Sequence, residues 1–535
     1  MNKFIHPLLR GQSLENRDYQ ANISKSCLSQ STLVILPTGM GKTVIALRIM
    51  LERISQGQIL LMAPTKPLAQ QHADFLQKHL DTHVQLFTGA ISPKEREPLW
   101  SSSDIIVSTP QVVSKDIANN RVSLDKFSLV VFDEAHRAVG NYAYVTIGKH
   151  YSSVANNHLS IGMTASPGSS KPEIIKICRD LGISAVENRD ETDSDVVAYI
   201  QPIKTRWIRV EMSAIVIDIA NHLRKLQEYL CGKLYKQGVI DRPRKVSTTM
   251  LIKAGKKLQL DYIKTKPNPP PQIFNMLTTQ AMAMKVAHAI LTIETQGVLQ
   301  FLDYTSRIDK DAREKKKGSR ANKWLSSNPD WRLALKIAKS NTSEHPKLER
   351  LLELIEVQIH SGSSRFIIFA EIRHTAKLIV DYLKKIEGTK PVRFVGQGSR
   401  EGDKGMTQNQ QKEILNKFRE GEFNILVATS VGEEGLDIPS TDVVVFYEPV
   451  SSAIRLIQRR GRTGRNRPGK VFIFVTKGSR DEAALWSSKG QEQKMHDLFS
   501  KGRIEIDIPN SKELSGSNII ETSNSNSVQT TFRNN

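Results

Sequence analysis

Cysteine is nearly absent. The 535 residues contain three, Cys27, Cys178 and Cys231, scattered and without a C-x-x-C pair. That spacing suggests neither a disulfide framework nor a zinc site and fits a reducing compartment. Long apolar runs are missing as well: nowhere do 18 apolar residues follow one another, so no membrane span is expected. Met1–Arg10 has no apolar stretch of signal-peptide length. These absences predict an intracellular protein of the cytoplasm or nucleoid. Acidic side chains are in deficit, 55 Asp plus Glu against 76 Lys plus Arg, for a formal charge of +21. Such a surplus suits a polyanionic partner, because each phosphate contact releases counterions from a nucleic acid. The alternative is a basic but inert surface.

Length predicts two to four domains, and the 39% hydrophobic share is enough to pack their cores. Short apolar runs at Thr32–Leu36, Ile59–Met62, Ile105–Ser108, Leu129–Phe132 and Ser160–Met163 read as buried parallel strands, with helices such as Val44–Ser55 and Leu68–His79 between them. The pattern returns at Phe366–Phe369, Val392–Val395, Ile425–Ala428, Val443–Tyr447 and Val471–Val475. Both stretches imply α/β domains whose ligands sit at the carboxyl ends of the strands. Between them Met212–Leu234 and Phe274–Ile293 have helical spacing, in a segment rich in Lys and Arg. The charge runs Lys256-Lys257 and Arg313–Lys317 are either solvated faces or phosphate contacts. The expected division is an α/β domain over 1–205, a helical insertion over 206–345, a second α/β domain over 346–505 and a disordered polar tail over 506–535.

Three motifs carry chemistry. Leu36-Pro37-Thr38-Gly39-Met40-Gly41-Lys42-Thr43 joins a strand to a helix, the setting of a phosphate-binding loop. Gly39 and Gly41 let backbone N–H groups turn inward, Lys42 would reach the β and γ phosphates of ATP, and Thr43 would ligate Mg²⁺. Asp133-Glu134-Ala135-His136 ends an apolar strand about ninety residues later. Asp133 would hold the metal through water and Glu134 would act as general base on the attacking water. Gln458-Arg459-Arg460-Gly461-Arg462-Thr463-Gly464-Arg465 is the third, and arginines at this spacing are not expected in a core. Arg462 and Arg465 read as arginine fingers that reach the γ-phosphate across a domain interface.

Together these residues resemble helicase superfamily 2. Arg17-Asp18-Tyr19-Gln20 looks like its adenine-reading Q motif. Pro64 and Thr65 in A-P-T-K-P-L, Thr88-Gly89, and Thr109-Pro110 look like the motifs that hold the nucleic-acid backbone. Thr164 and Ser166 in T-A-S look like motif III, which couples hydrolysis to domain movement; Phe369-Ala370-Glu371 lies where motif IV is expected. Thr429–Asp437 looks like motif V, with Thr429 meeting a phosphate and Gly435 and Asp437 near the nucleotide. Gln458 belongs to motif VI. The forms R-D-Y-Q, F-D-E-A-H-R, V-G-E-E-G-L-D-I-P and Q-R-x-G-R-T-G-R are similar to the archaeal Hef and FANCM branch, which also carries a helical insertion. That resemblance implies two RecA-like domains and a DNA helicase or translocase that remodels forks and Holliday junctions in DNA repair, moving 3′ to 5′. It also implies a helicase-only version or a fragment, since the E-R-K nuclease signature of many relatives is absent. Dicer and the antiviral RNA sensors share such cores, so RNA is the alternative substrate, and a junction-binding module with a vestigial ATPase is another. Gln529–Phe532 resembles the start of a sliding-clamp peptide without its aromatic pair.

Overall fold

The computed structural model describes residues 3–11, 14–168, 170–314, 318–341, 343–399, 403–429, 438–464 and 468–500. Among the expected functional positions, Gly435, Asp437, Arg465 and the segment Gln529–Phe532 lie outside the described residues. No helix among the described residues is long and apolar enough to cross a membrane. All three cysteines are buried and unpaired.

An antiparallel pair, β1 (Lys3–Phe4) with β2 (Leu14–Glu15), precedes the first lobe. That lobe is a seven-stranded parallel sheet. In chain order its strands are β3 (Thr32–Ile35), β4 (Gln58–Met62), β5 (Val84–Phe87), β6 (Ile105–Ser108), β7 (Phe127–Asp133), β8 (Ser160–Thr164) and β9 (Ala185–Asn188). Across the sheet they run β5-β6-β4-β7-β8-β3-β9. Strands covered on both faces need apolar residues throughout rather than in alternation. Leu33 and Ile35 accordingly point into one core and Val34 and Leu36 into the other. The strand order matters for function: β8 lies between β3 and β7, so three loops leave adjacent strand ends.

The second lobe is a six-stranded parallel sheet of β10 (Ile203–Val210), β11 (Phe366–Phe369), β12 (Pro391–Phe394), β13 (Ile425–Ala428), β14 (Val443–Phe446) and β15 (Gly469–Thr476). Its order is β10-β15-β14-β11-β13-β12. β10 pairs along its whole length with β15, from Ile203 beside Gly469 to Val210 beside Thr476. The boundary expected at 205/206 falls inside this strand. Its Lys204, Arg206 and Arg209 interrupt the apolar run, which an edge strand tolerates because one face meets water.

The chain therefore enters the second sheet, leaves for the helical insertion, and returns. The insertion holds Ala214–Lys236, Thr248–Lys264, Pro271–Gln296, Val298–Arg313, Arg320–Ser327 and Pro329–Lys339, packed around the fully buried Trp331. Its longest helix ends against the second lobe in a buried polar joint. Gln296 Nε2 donates to Glu448 Oε1 at 2.6 Å and Thr375 Oγ1 donates to Gln296 Oε1 at 2.6 Å. The Glu371 backbone N–H donates to Glu448 Oε2 at 3.1 Å. Beside it the fully buried Lys347 pairs with Asp481; removing one partner of such a pair costs roughly 3–5 kcal/mol.

Burial pushes the Glu448 carboxyl up to about 7 from its ordinary 4.5, against the pull of Lys347. Above 4.5 and below about 7 the folded chain keeps a proton that the unfolded chain has released, so this group's stabilisation falls as pH rises through that window. Thermal unfolding followed from about pH 5 to about pH 7.5 should show a smaller loss of stability in Glu448→Gln than in the parent. Equal losses would remove Glu448 as the cause.

Candidate nucleotide and nucleic-acid site

The loop between β3 and the helix Lys42–Arg53 turns on two left-handed glycines, Gly39 at φ 85° and Gly41 at φ 74°. Other side chains are strained there, and at Gly41 a Cβ would sit 2.5 Å from Gln20 Nε2. Lys42 Nζ donates to Leu36 O at 2.8 Å and to Pro37 O at 3.3 Å, folding the ammonium across the loop's mouth. The expected adenine-reading residues brace the loop from outside. Tyr19 Oη donates to Met40 O at 2.7 Å, and Gln20 Nε2 donates to the same carbonyl at 3.2 Å. Arg17 lies over the Tyr199 ring, 5.0 Å from its centroid. Thr43 occupies the first turn of the helix, where unpaired N–H groups favour anions.

β7 delivers Asp133 and Glu134 beside that loop. Tyr144 Oη ties the strand end down by donating to Asp133 O at 2.7 Å and to Met62 O at 3.0 Å. His72 Nε2 lies 2.8 Å from Asp133 Oδ2. Burial alone would raise the Asp133 carboxyl, but His72, Lys42 and the Glu134 N–H outweigh it and hold it below the ordinary range. Glu134 sits in the left-handed region at φ 51°, ψ 49°, an unfavourable backbone for a non-glycine residue that turns up at functional sites. Its Oε2 is buried and accepts no hydrogen bond. Burial and the neighbouring Asp133 push its carboxyl up to about 7, while Lys42, Arg137 and Arg462 act the other way.

A short relay leads from Glu134 to motif III. His136 Nδ1 is 3.3 Å from Glu134 Oε2 and 3.0 Å from Thr164 Oγ1, at the end of β8. Thr164 Oγ1 accepts the Ser166 N–H at 3.0 Å. Burial lowers His136 to about 4, so its ring is neutral at physiological pH.

From the second lobe the helix Ala453–Arg460 brings motif VI to the same cleft. Gln458 is buried with its Oε1 unpartnered among the described residues. Arg462 is buried and close enough to Glu134 to favour its carboxylate. Gly461 packs on the phosphate loop: a Cβ there would lie 1.8 Å from Thr38 Oγ1. Arg459 departs from expectation, for it is 1% exposed in the core. Its guanidinium stands 4.8 Å from the Phe369 centroid and 5.8 Å from that of Phe446, a stacking that makes burial of the charge tolerable.

A family model described as DEAD/DEAH box helicase matches residues 17–175, and one described as Helicase conserved C-terminal domain matches 346–467. A third, "Putative ATP-dependent RNA helicase, helical bundle", matches 215–345. The chain is 41% identical to the crystal structure of the Pyrococcus furiosus Hef helicase domain, over 88% of this chain and 98% of that one, with a TM-score of 0.66. The chain belongs to the Hef and FANCM branch of superfamily 2 helicases. It is 36% identical to a protein of Methanocaldococcus jannaschii named as a putative ATP-dependent RNA helicase, over 92% of this chain and 62% of that protein. It is 33% identical to the ATP-dependent DNA helicase mph1 of Neurospora crassa, over 90% of this chain and 42% of that protein. These curated relatives are thus considerably longer than the portion the chain spans.

Within this family fold, the other expected residues gather on a second face. Pro64, Gly89 and Thr109 line a groove of about 600 Å³ with Lys66, Arg96 and Lys115. Thr88 lies in a smaller groove with Lys66, Gln408 and Lys412, which both lobes share. Thr65 accepts the Leu68 N–H and caps its helix, and Pro110 starts the next helix in a buried position. Thr429 is buried at the end of β13, its N–H donating to Phe394 O at 3.1 Å. His72, Tyr144 and Tyr199 were not singled out from the sequence. Each is an ordinary residue without a motif, and only the spacing of β7 and its neighbours brings it to the site.

Gly461 has φ −66°, so an alanine there meets no strain in φ; its Cβ meets Thr38 first and, at 3.3 Å, the Ile457 carbonyl. Gly461→Ala is expected to hold the cleft open without unfolding either lobe. Small-angle scattering should then report a larger radius of gyration at an unchanged melting temperature. An unchanged radius would mean that the two lobes do not close on this contact.

Proposed function

We propose that the chain is an ATP-driven motor on forked or branched DNA, a helicase or translocase of replication-fork and junction repair. The observation that carries this reading is the packing of motif VI from one lobe on the phosphate loop of the other, where a Cβ at Gly461 would fall 1.8 Å from Thr38 Oγ1. The residues fit a nucleotide: left-handed glycines open the loop, Lys42 crosses its mouth, and Glu134 Oε2 is buried and accepts no hydrogen bond. Thr43 and Asp133 would hold Mg²⁺, which neutralises phosphate charge when bound. Glu134 orients and deprotonates the attacking water. Gln458 and Arg462 complete the site from the second lobe, and the family resemblance assigns roles in nucleotide binding to Arg465, Gly435 and Asp437 as well. Gln20 and Arg17 border the adenine side. Thr164 and Ser166 pass the state of the site to the lobe interface.

The DNA part of the reading is supported by relatives named as DNA helicases and by the solved Hef helicase domain. Charge supports a nucleic-acid partner in general. The insertion carries a groove of about 810 Å³ lined by Arg313, Lys323, Arg332, Lys336 and Lys339, suited to a second arm of a branched substrate. RNA is the second reading, because the 36% identical relative is named as an RNA helicase. A sliding clamp on Gln529–Phe532 is the lesser part of the proposal, since the aromatic pair of such a peptide is missing.

Phosphate release should rise with forked DNA and fall at least about a hundredfold in Lys42→Ala and Glu134→Gln. Replacing Lys336 and Lys339 by Ala should weaken fork binding and flatten its dependence on salt. Full turnover in Glu134→Gln would sink the base assignment, and tighter binding to an RNA fork than to the matched DNA fork would favour the second reading.

A further inference from the structure

The helix Arg480–Ser500 follows β15 and lies beyond residue 467, where the match to the helicase C-terminal domain model ends. Its 21 residues make a rod of about 30 Å. At its start it is anchored to the root of the insertion. Arg480 donates to Thr248 Oγ1 on an insertion helix. Asp481 takes the buried Lys347 ammonium and the Thr476 N–H. Toward its other end it touches both halves of the nucleotide cleft. Glu492 Oε1 is 2.9 Å from an Arg460 guanidinium nitrogen, on the motif VI helix. Three residues on, and so on the same face, Ser166 Oγ of the first lobe donates to Met495 Sδ at 3.1 Å. His496 lies close enough to Asp190 to favour its carboxylate.

Ser166 is the end of the relay described above, which runs from Glu134 through His136 and Thr164. Met495 therefore touches the residue at which the contacts running from Glu134 past His136 and Thr164 end. The contact is loosely packed: a cavity of about 290 Å³ opens beside it, lined among others by Pro37, Ala165, Arg460, Glu492 and Met495. A partly exposed ion pair and a thioether contact next to a cavity add little to stability. They are well placed to form and break between open and closed cleft.

We infer that the helix Arg480–Ser500 is a positioning element: Met495 senses motif III through Ser166, Glu492 holds motif VI through Arg460, and Arg480 and Asp481 carry that register to the root of the insertion. Arg460 is the unspecified position of Q-R-x-G-R-T-G-R, so its charge is free to serve this purpose. This rests on the hydrolysis proposed above.

The test is steady-state ATP hydrolysis by the full chain with saturating forked DNA. Met495→Ala and Glu492→Arg are each expected to lower kcat about three- to tenfold, with the KM for ATP within about twofold of the parent. The melting temperature should not change. The charge swap Arg460→Glu with Glu492→Arg should recover most of the loss, which a purely structural role would not predict. Unchanged kcat in both single variants, a fall in kcat that follows a fall in melting temperature, or no recovery in the swap would overturn the inference. A parent chain that hydrolyses no ATP under these conditions would overturn the hydrolysis reading and this inference with it. A parent that hydrolyses beside variants equal to it would overturn the inference alone.

Discussion

Burial and the neighbouring Asp133 make the charge on Glu134 costly, and Lys42, Arg137 and, from the other half of the chain, Arg462 offset part of that cost. At an effective dielectric of about 20, opposite charges about 4 Å apart exchange roughly 4 kcal/mol, and the exchange weakens quickly with distance and water. The contribution from Arg462 is present only while the lobes meet. The sheet order that seats β8 between β3 and β7 sets the loops bearing Lys42, Glu134 and Thr164 side by side, and the absence of a side chain at Gly461 leaves room for Thr38. The left-handed backbone at Glu134 is a local strain accepted for the same arrangement, while the glycines of the phosphate loop take up theirs without one.

The insertion belongs mechanically to the second lobe. β10 enters the second sheet before the insertion starts, and Gln296, Lys347 and Glu448 seal the return with buried polar contacts. Satisfied buried networks of this kind rigidify, because an unpaired member in a low dielectric is expensive. A movement of the second lobe over the nucleotide therefore carries the basic groove of the insertion with it. The helix after β15 runs between that root and the cleft.

Much of this was legible in the residues. The apolar strands of both lobes were visible because strands buried on both faces cannot hide a polar residue, and Phe366–Phe369 and Ile425–Ala428 fall where the apolar runs predict. The phosphate loop and D-E-A-H were visible because the chemistry demands particular residues at particular distances along the chain. β10 was not, since Lys204, Arg206 and Arg209 give an edge strand the look of a polar linker. Arg459 was misread, because an arginine between Phe369 and Phe446 is told from a surface arginine only by what surrounds it.

The sequence by itself determined the class of chemistry, since Lys42, Asp133, Glu134 and Gln458 sit in patterns whose local strand–loop–helix geometry is set by near neighbours. It determined that two α/β units are present for the same reason. Only the tertiary structure decided which lobe carries the insertion, that His72 pairs with Asp133, that Gly461 rests on Thr38, and that Met495 meets Ser166. Those facts join residues tens to hundreds of positions apart. No local periodicity encodes them; they follow from which strands are neighbours and which side chains the packed lobes bring within a few ångströms.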